Sequence, residues 1–332
     1  MRKAEIFGRR FLVATPRMSQ PSTIDVVGVG LNATDTMLLV PEYPARGAKV
    51  ESHSVRILPG GQVATAMIAC QRWGIRTRYV GKLGDDSAAQ VHRNEFDRAG
   101  VDTRLITVPS CGSQQSLILV DPEGERTAVG YRDQRLALQP GELKREWIIN
   151  ARALLIDGYD TAAAAQAAEW ARTAGIPVIA DFDEAYPRID ALLPNIDFLI
   201  VSRDFPRRLC GEPHLEQSLP MLQHRLKCRL TAATLGSDGV LAWDGSKFHY
   251  APAYRVSVID TTGAGDVFHA GFIYGLLRDW PLQRQLEFAS AAAALNCTAA
   301  GARGAIQSVE EIESLMAKRD LHPAAWDVSK MG

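Results

Sequence analysis

Short apolar runs alternate with alanine-rich stretches of helical period along much of this chain, and that alternation restricts it to a small set of architectures. Leu154-Leu155-Ile156-Asp157-Gly158 is followed by Thr161 to Ala174, then by Gly175 and Pro177-Val178-Ile179-Ala180-Asp181. A strand, a helix and a second strand in that order make a parallel pair with the helix crossing one face. Phe198 to Val201 and Leu230 to Thr234 extend the pattern. The spacing predicts an α/β fold with a mostly parallel central sheet covered by helices. Ligands of such sheets bind beyond the carboxyl ends of the strands, so the chemistry is to be sought in the loops that leave them.

One of those loops is rich in signal. Arg255-Val256-Ser257-Val258-Ile259 alternates like a strand, and Val267, Phe268, Phe272, Ile273, Leu276 and Leu277 recur at helical spacing. Between them lies Asp260-Thr261-Thr262-Gly263-Ala264-Gly265-Asp266, a turn that opens a helix. Gly263, Ala264 and Gly265 let an anion approach the main chain, where helix N-terminal N–H groups and the helix dipole stabilise it. Asp266 would repel a phosphate unless it has a task, and taking a proton from an attacking hydroxyl is such a task. The alternative is that Asp260 or Thr261 caps the helix while Asp266 complements its dipole.

Asp260 to Asp266 with Val267-Phe268-His269-Ala270-Gly271 resembles the C-terminal signature of the ribokinase-like (PfkB) carbohydrate kinases. Leu58-Pro59-Gly60-Gly61-Gln62-Val63-Ala64-Thr65-Ala66 is similar to the family's diglycine turn beside the sugar. Val80 to Asp86 and Thr234-Leu235-Gly236-Ser237-Asp238-Gly239 also match, so the resemblance runs from about Ile24 to about Met316. It implies a ribokinase-like three-layer α/β/α domain over residues 23–318, which leaves residues 1–22 as an N-terminal extension or disordered tail and 319–332 as a C-terminal tail.

Length and composition agree with one soluble enzyme of one large or two ordinary domains. In 332 residues, 46% hydrophobic content suffices for a large core. A formal charge of -1 gives no basic excess for nucleic acid or an anionic membrane. No apolar run reaches the length of a membrane span. The short stretch Phe11 to Ala14 after Arg2, Lys3, Arg9 and Arg10 does not make a signal h-region. Five scattered cysteines without a C-x-x-C pair argue against a disulfide framework or zinc site, and a cytoplasmic location is expected.

Residues 36–58 and 115–132 interrupt the alternation and read as hairpin-like strands, the second around Pro122-Glu123-Gly124-Glu125. The resemblance implies that they form a small β-sheet lid over the sugar, shared in a homodimer; surface hairpins are the other reading. Gly28-Val29-Gly30-Leu31-Asn32-Ala33 satisfies the G-x-G-x-x-A dinucleotide pattern. That pattern needs a helix next, and β-like Met37 to Val40 with Pro41 and Pro44 follows instead. A Walker A loop is absent.

The resemblance implies ATP and Mg²⁺, a sugar acceptor, and Asp266 as general base with Gly263, Ala264 and Gly265 cradling the transferred phosphoryl group. Asp35, Gly60, Gly61 and Gln62 fall at sugar-contacting positions, and Lys49 and Arg132 in the lid are candidates to face a polar or anionic substrate group. Thr234, Gly236, Gly239, Ser202, Ser290 and Asn296 fall on the nucleotide side. Asp260 and Thr262, with carbonyls near Ala299 and Gly301, resemble the family's monovalent-cation (K⁺) loop. One departure stands out: where many relatives carry N-x-x-E, this chain reads Val201-Ser202-Arg203-Asp204-Phe205. That stretch, with Ser113 to Ser116 and Leu295 to Thr298, looks closer to ketohexokinase-like and sulfofructose-kinase-like chains. An ATP-dependent kinase of a ketose or pentose is expected. A nucleoside kinase, with Tyr43 as the base-stacking aromatic, and a non-catalytic sugar-binding regulator remain alternatives.

Overall fold

The computed structural model describes residues 24–123 and 126–328; the expected N-terminal extension and part of the 122–125 turn lie outside them. Among the described residues, thirteen strands fall into two sheets. Chain order gives β1 (Val26–Val29), β2 (Ala33–Leu39), β3 (Ser54–Gly60), β4 (Thr77–Leu83), β5 (Asp102–Thr107), β6 (Gln115–Val120) and β7 (Arg126–Tyr131). Then follow β8 (Ala153–Asp157), β9 (Val178–Phe182), β10 (Phe198–Ser202), β11 (Leu230–Thr234), β12 (Val240–Trp243) and β13 (Phe248–Ala251). The large sheet runs β13-β12-β11-β10-β9-β8-β1-β4-β5, parallel from β11 to β5, with β12 and β13 antiparallel at one edge.

Its inner parallel strands, β1 and β8 to β11, are buried on both faces, as helices on each side require. Val26, Leu155, Ile179 and Ile200 point into one core, and Val27, Leu154, Val178 and Leu199 into the other. Helices α1 (Gln62–Arg72) and α2 (Ser87–Ala99) contribute to the first core, which also receives Phe272, Phe288 and Ile312. Those three belong to α7 (Ala264–Leu276), α8 (Leu282–Asn296) and α9 (Val309–Lys318). The second core lies under α3 (Arg145–Ile148), α4 (Thr161–Thr173), α5 (Phe205–Cys210) and α6 (Leu215–Leu226). The result is the helix-covered, mostly parallel sheet that the alternation predicted, in the three-layer α/β/α arrangement that the resemblance implied.

The small sheet runs β3-β2-β6-β7. Both expected hairpins are present, β2 with β3 and β6 with β7, joined by a parallel β2–β6 pairing. Cross-strand partners share a face. Leu58, Asp35, Ser116 and Gly130 make one row, and Ile57, Thr36, Leu117 and Val129 make the next, on the opposite face.

The strand expected at Arg255 to Ile259 does not form. Tyr254 makes an isolated bridge to Leu321, and the next backbone groups bond elsewhere: Arg255 N–H to Asp320 O, Ile259 N–H to Cys297 O. Pro252 follows β13 directly and the segment leaves the sheet edge for a cleft wall. Trp326 and Val328, in the expected tail, pack against the second core.

Candidate active site

Gly263 has a left-handed backbone (φ 76°), and a Cβ there would lie 2.2 Å from Ala302 O. Conformation and space both demand glycine. Helix α7 starts at the next residue, and its first N–H groups have no partner within the helix. Gly265 borders open space, with nothing within 4 Å of an added Cβ. Asp266 sits in this first turn. Burial pushes its carboxyl up to about 7, Asp181 adds to the rise, and His269 and Arg303 oppose it. A carboxyl poised near neutrality suits a general base.

Asp181 is the last residue but one of β9 and Gln62 opens α1, and the Gln62 amide donates to Asp181 Oδ1 over 3.5 Å. The other Asp181 oxygen is buried without a hydrogen-bond partner among the described residues and lies 3.3 Å from His269 Nδ1. Burial holds the Asp181 carboxyl well above its ordinary range. His269 is fixed on α7 by Gly265 O at 2.8 Å and Ile200 O at 3.2 Å.

Across from the helix, the lid presents Asp35. Its carboxyl rises to about 6 through burial, against a hydrogen bond from Ser116 and the charge of Arg303. Gly60 is hard against it: a Cβ there would meet Asp35 Oδ2 at 2.5 Å. Gly61 (φ 92°) would strike Asn32. The turn from β1 into β2 is pinned beneath. Leu31 N–H donates to Asp157 Oδ2 (2.6 Å), Asn32 Nδ2 to Tyr79 Oη (2.7 Å) and Lys82 O (2.9 Å), and Tyr79 Oη to Gly30 O (2.7 Å). The buried Arg303 ties lid to body, donating to Gly60 O (2.8 Å) and Thr65 Oγ1 (3.1 Å) while pairing with Glu95.

Beside the turn opens a cleft of about 360 Å³, whose walls include Thr234, Gly236, Gly239, Gly265, Phe268 and Ser290. It is mostly apolar and reaches the glycine turn at Gly265.

The pfkB family carbohydrate kinase model matches residues 24–308 of this sequence. The chain belongs to that family. An ATP-dependent ribose-1-phosphate kinase from Halopiger xanaduensis is 28% identical over 292 residues, 85% of this chain and 95% of the relative. A 5-dehydro-2-deoxygluconokinase from Geobacillus kaustophilus is 26% identical over 282 residues, 77% of this chain and 84% of the relative. The solved structure of Arabidopsis thaliana ribokinase complexed with ribose and ATP shares the fold. Its TM-score is 0.75 at 24% identity, covering 88% of this chain and 98% of that one. As a pfkB family carbohydrate kinase, this chain is a phosphotransferase with a hydroxyl acceptor.

Other residues singled out in this kinase's sequence fall in different places. Lys49 is exposed in the β2–β3 connection. Arg132 is bound by Asp160 (2.6 Å) and lies over the Tyr159 ring, so much of its charge is met within the protein. Ser202 Oγ donates to Asp183 O (3.0 Å), and Thr234 Oγ1 to Val201 O (3.3 Å). Asn296 is fully buried and faces the Thr262 and Ala302 carbonyls rather than the cleft. Asp260 stitches two loops, accepting from Thr262 N–H (2.9 Å) and Oγ1 (2.7 Å) and from Gly301 N–H (2.7 Å). Sequence reasoning missed Asp181, Arg303 and the Asn32–Tyr79 network. Only Asp181 carried a usable sign, as the acidic residue ending a predicted strand.

Proposed function

We propose that this kinase transfers the γ-phosphoryl group of ATP to a hydroxymethyl group of a small ketose or pentose, with Asp266 as the base. ATP would lie in the 360 Å³ cleft with its γ-phosphate above Gly263, Ala264 and Gly265. The acceptor would lie between Asp266 and the lid, its other hydroxyls donating to Asp35 and meeting Gly60, Gly61 and Gln62. A carboxylate accepts several hydroxyl bonds at once. Asp266 would take the hydroxyl proton as the oxygen attacks, while the α7 N–H groups stabilise charge on the phosphoryl group. The observation that carries this reading is the placing of a carboxyl, Asp266, in the first turn of a helix whose N-terminus is open at Gly265.

Ribokinase-like kinases use ATP with Mg²⁺. Among the described residues no group of three or more His, Cys, Asp or Glu could cage a metal, and Mg²⁺ needs none, since it binds through one or two carboxylates plus substrate phosphates and water. The unpartnered oxygen of Asp181 and the exposed Asp183 one strand-end further are the carboxylates that would hold it. When bound it neutralises charge between the parting phosphates.

A homodimer through the lid is part of the same proposal. The outer face of the small sheet exposes Val55, Ile57, Leu117, Val129 and Tyr131 together, and a contiguous apolar face of this kind is characteristic of an interface. No helix among the described residues is long and apolar enough to cross a membrane.

The test is Mg-ATP with a panel of ketoses, pentoses, their phosphates and nucleosides, following ADP. Turnover with a ketose or pentose is expected, and Asp266→Asn should lower it by about 10²–10⁴-fold with ATP binding retained. Turnover confined to nucleosides, or an Asp266→Asn variant of near-normal rate, would refute the assignment.

A further inference from the structure

The two loops around the phosphate turn converge on a single side chain. Asn296, the last residue of α8, is fully buried, and its Nδ2 donates to Thr262 O at 3.2 Å and to Ala302 O at 3.0 Å. Both neighbours are acceptors, so the amino end of the amide must point at them. Its Oδ1 is buried without a partner among the described residues, a further sign that the two carbonyls govern its orientation. Thr262 immediately precedes the left-handed Gly263, and a Cβ on Gly263 would strike Ala302. The amide therefore bridges the two strands of main chain that hold the phosphate turn in place.

This is where the resemblance puts a monovalent cation. Such a cation draws its ligands from backbone carbonyl oxygens that replace its hydration shell. Here the amino group of Asn296 stands against two of the carbonyls at that place and presents them with the positive end that an ion would supply, and Asp260, the expected carboxylate of the loop, accepts from Thr262 N–H and Oγ1 and from Gly301 N–H. The residues present do not fit the ion. We propose that the Asn296 amide stands in for the monovalent cation, clamping Thr262 to Ala302, and that this kinase binds nucleotide without K⁺. The inference rests on reading Gly263 to Asp266 as the phosphoryl site. Asn296 is thus a positioning residue that acts on the turn through the backbone.

The experiment uses the whole chain and Mg²⁺ with a non-hydrolysable ATP analogue, titrated calorimetrically in potassium, ammonium or choline chloride at equal ionic strength. Wild-type affinity should be the same in all three. Asn296→Ala, which leaves two carbonyls without a donor, should bind about tenfold more weakly in choline, a loss of about 1.4 kcal/mol, and regain affinity in potassium or ammonium. A purely structural asparagine would show no such ion-specific rescue. Saturable tightening of the wild type by potassium overturns the inference, and needs no variant to be seen. An Asn296→Ala protein equal to wild type in choline overturns it as well. Absence of nucleotide binding in every salt would instead remove the phosphoryl-site reading, and the inference with it.

Discussion

At the scale of single residues, the site is a set of carboxyls held away from their ordinary ionisation. Burial raises Asp266 to about 7, Asp35 to about 6 and Asp157 to about 8. As the proposed base, Asp266 must be ionised to work, so kcat/KM should rise with pH along a one-proton limb centred near 7. The same shift has the opposite sign for stability. The folded value of Asp266 lies above its ordinary 3.8, so its favourable neutral form is fully present below 3.8 and lost as pH rises through 7. Asp266→Asn should therefore melt higher than wild type, by roughly 2 °C or more in alkaline buffer, with the gap closing toward pH 3.8. Thermal melts of both proteins across pH decide it; a variant that melts lower in alkali would mean the carboxylate is well solvated. Several residues of this set were visible beforehand because turn chemistry is local: Gly263, Gly265 and Asp266 announce themselves within one heptapeptide. Arg303 does not, since its contact with Gly60 spans 243 positions, and no short pattern encodes a partner that distant.

At the scale of elements, the alanine-rich helices explain how Asp266 is aimed. Helix α7 lies close against α8 because Gly271 meets Ala289: a Cβ on Gly271 would come within 2.7 Å of the Ala289 Cα. Gly271→Val would wedge the two helices apart at a cost of about 1–3 kcal/mol. Because α7 carries the phosphate turn, kcat should fall too, a result to be checked by urea unfolding beside steady-state kinetics. Unchanged stability would show that the pair can separate freely. Periodicity located α4 and β8 to β11 to within a residue or two, since their burial is regular. It failed at Arg255 to Ile259 for a physical reason. Val256 packs inward while Ser257, Val258 and Ile259 line open space, so alternation there reflects one side of a cleft wall rather than a paired strand. Likewise Asn296 looked like a cleft residue because helix position alone does not reveal which carbonyls lie past the helix end.

At the scale of the molecule, two sheets with different duties share one chain. The centre of the body sheet is sealed on both faces, whereas the lid sheet has an inner row with Asp35 and an outer row in which Ile57 and Val129 are each 62% exposed. Ile57→Glu with Val129→Glu should leave the fold intact, convert a dimer to a monomer by light scattering, and raise KM for the acceptor more than for ATP. A monomeric wild type would end the lid-dimer proposal. Asp35 and Gly60 are themselves residues of the lid strands β2 and β3, not of the body beneath them. Any swing of that sheet would therefore carry the acceptor's grip along with it. Gathering the sugar and shutting out bulk solvent would then be one event, leaving water a poor competitor for the phosphoryl group until the proper alcohol has arrived.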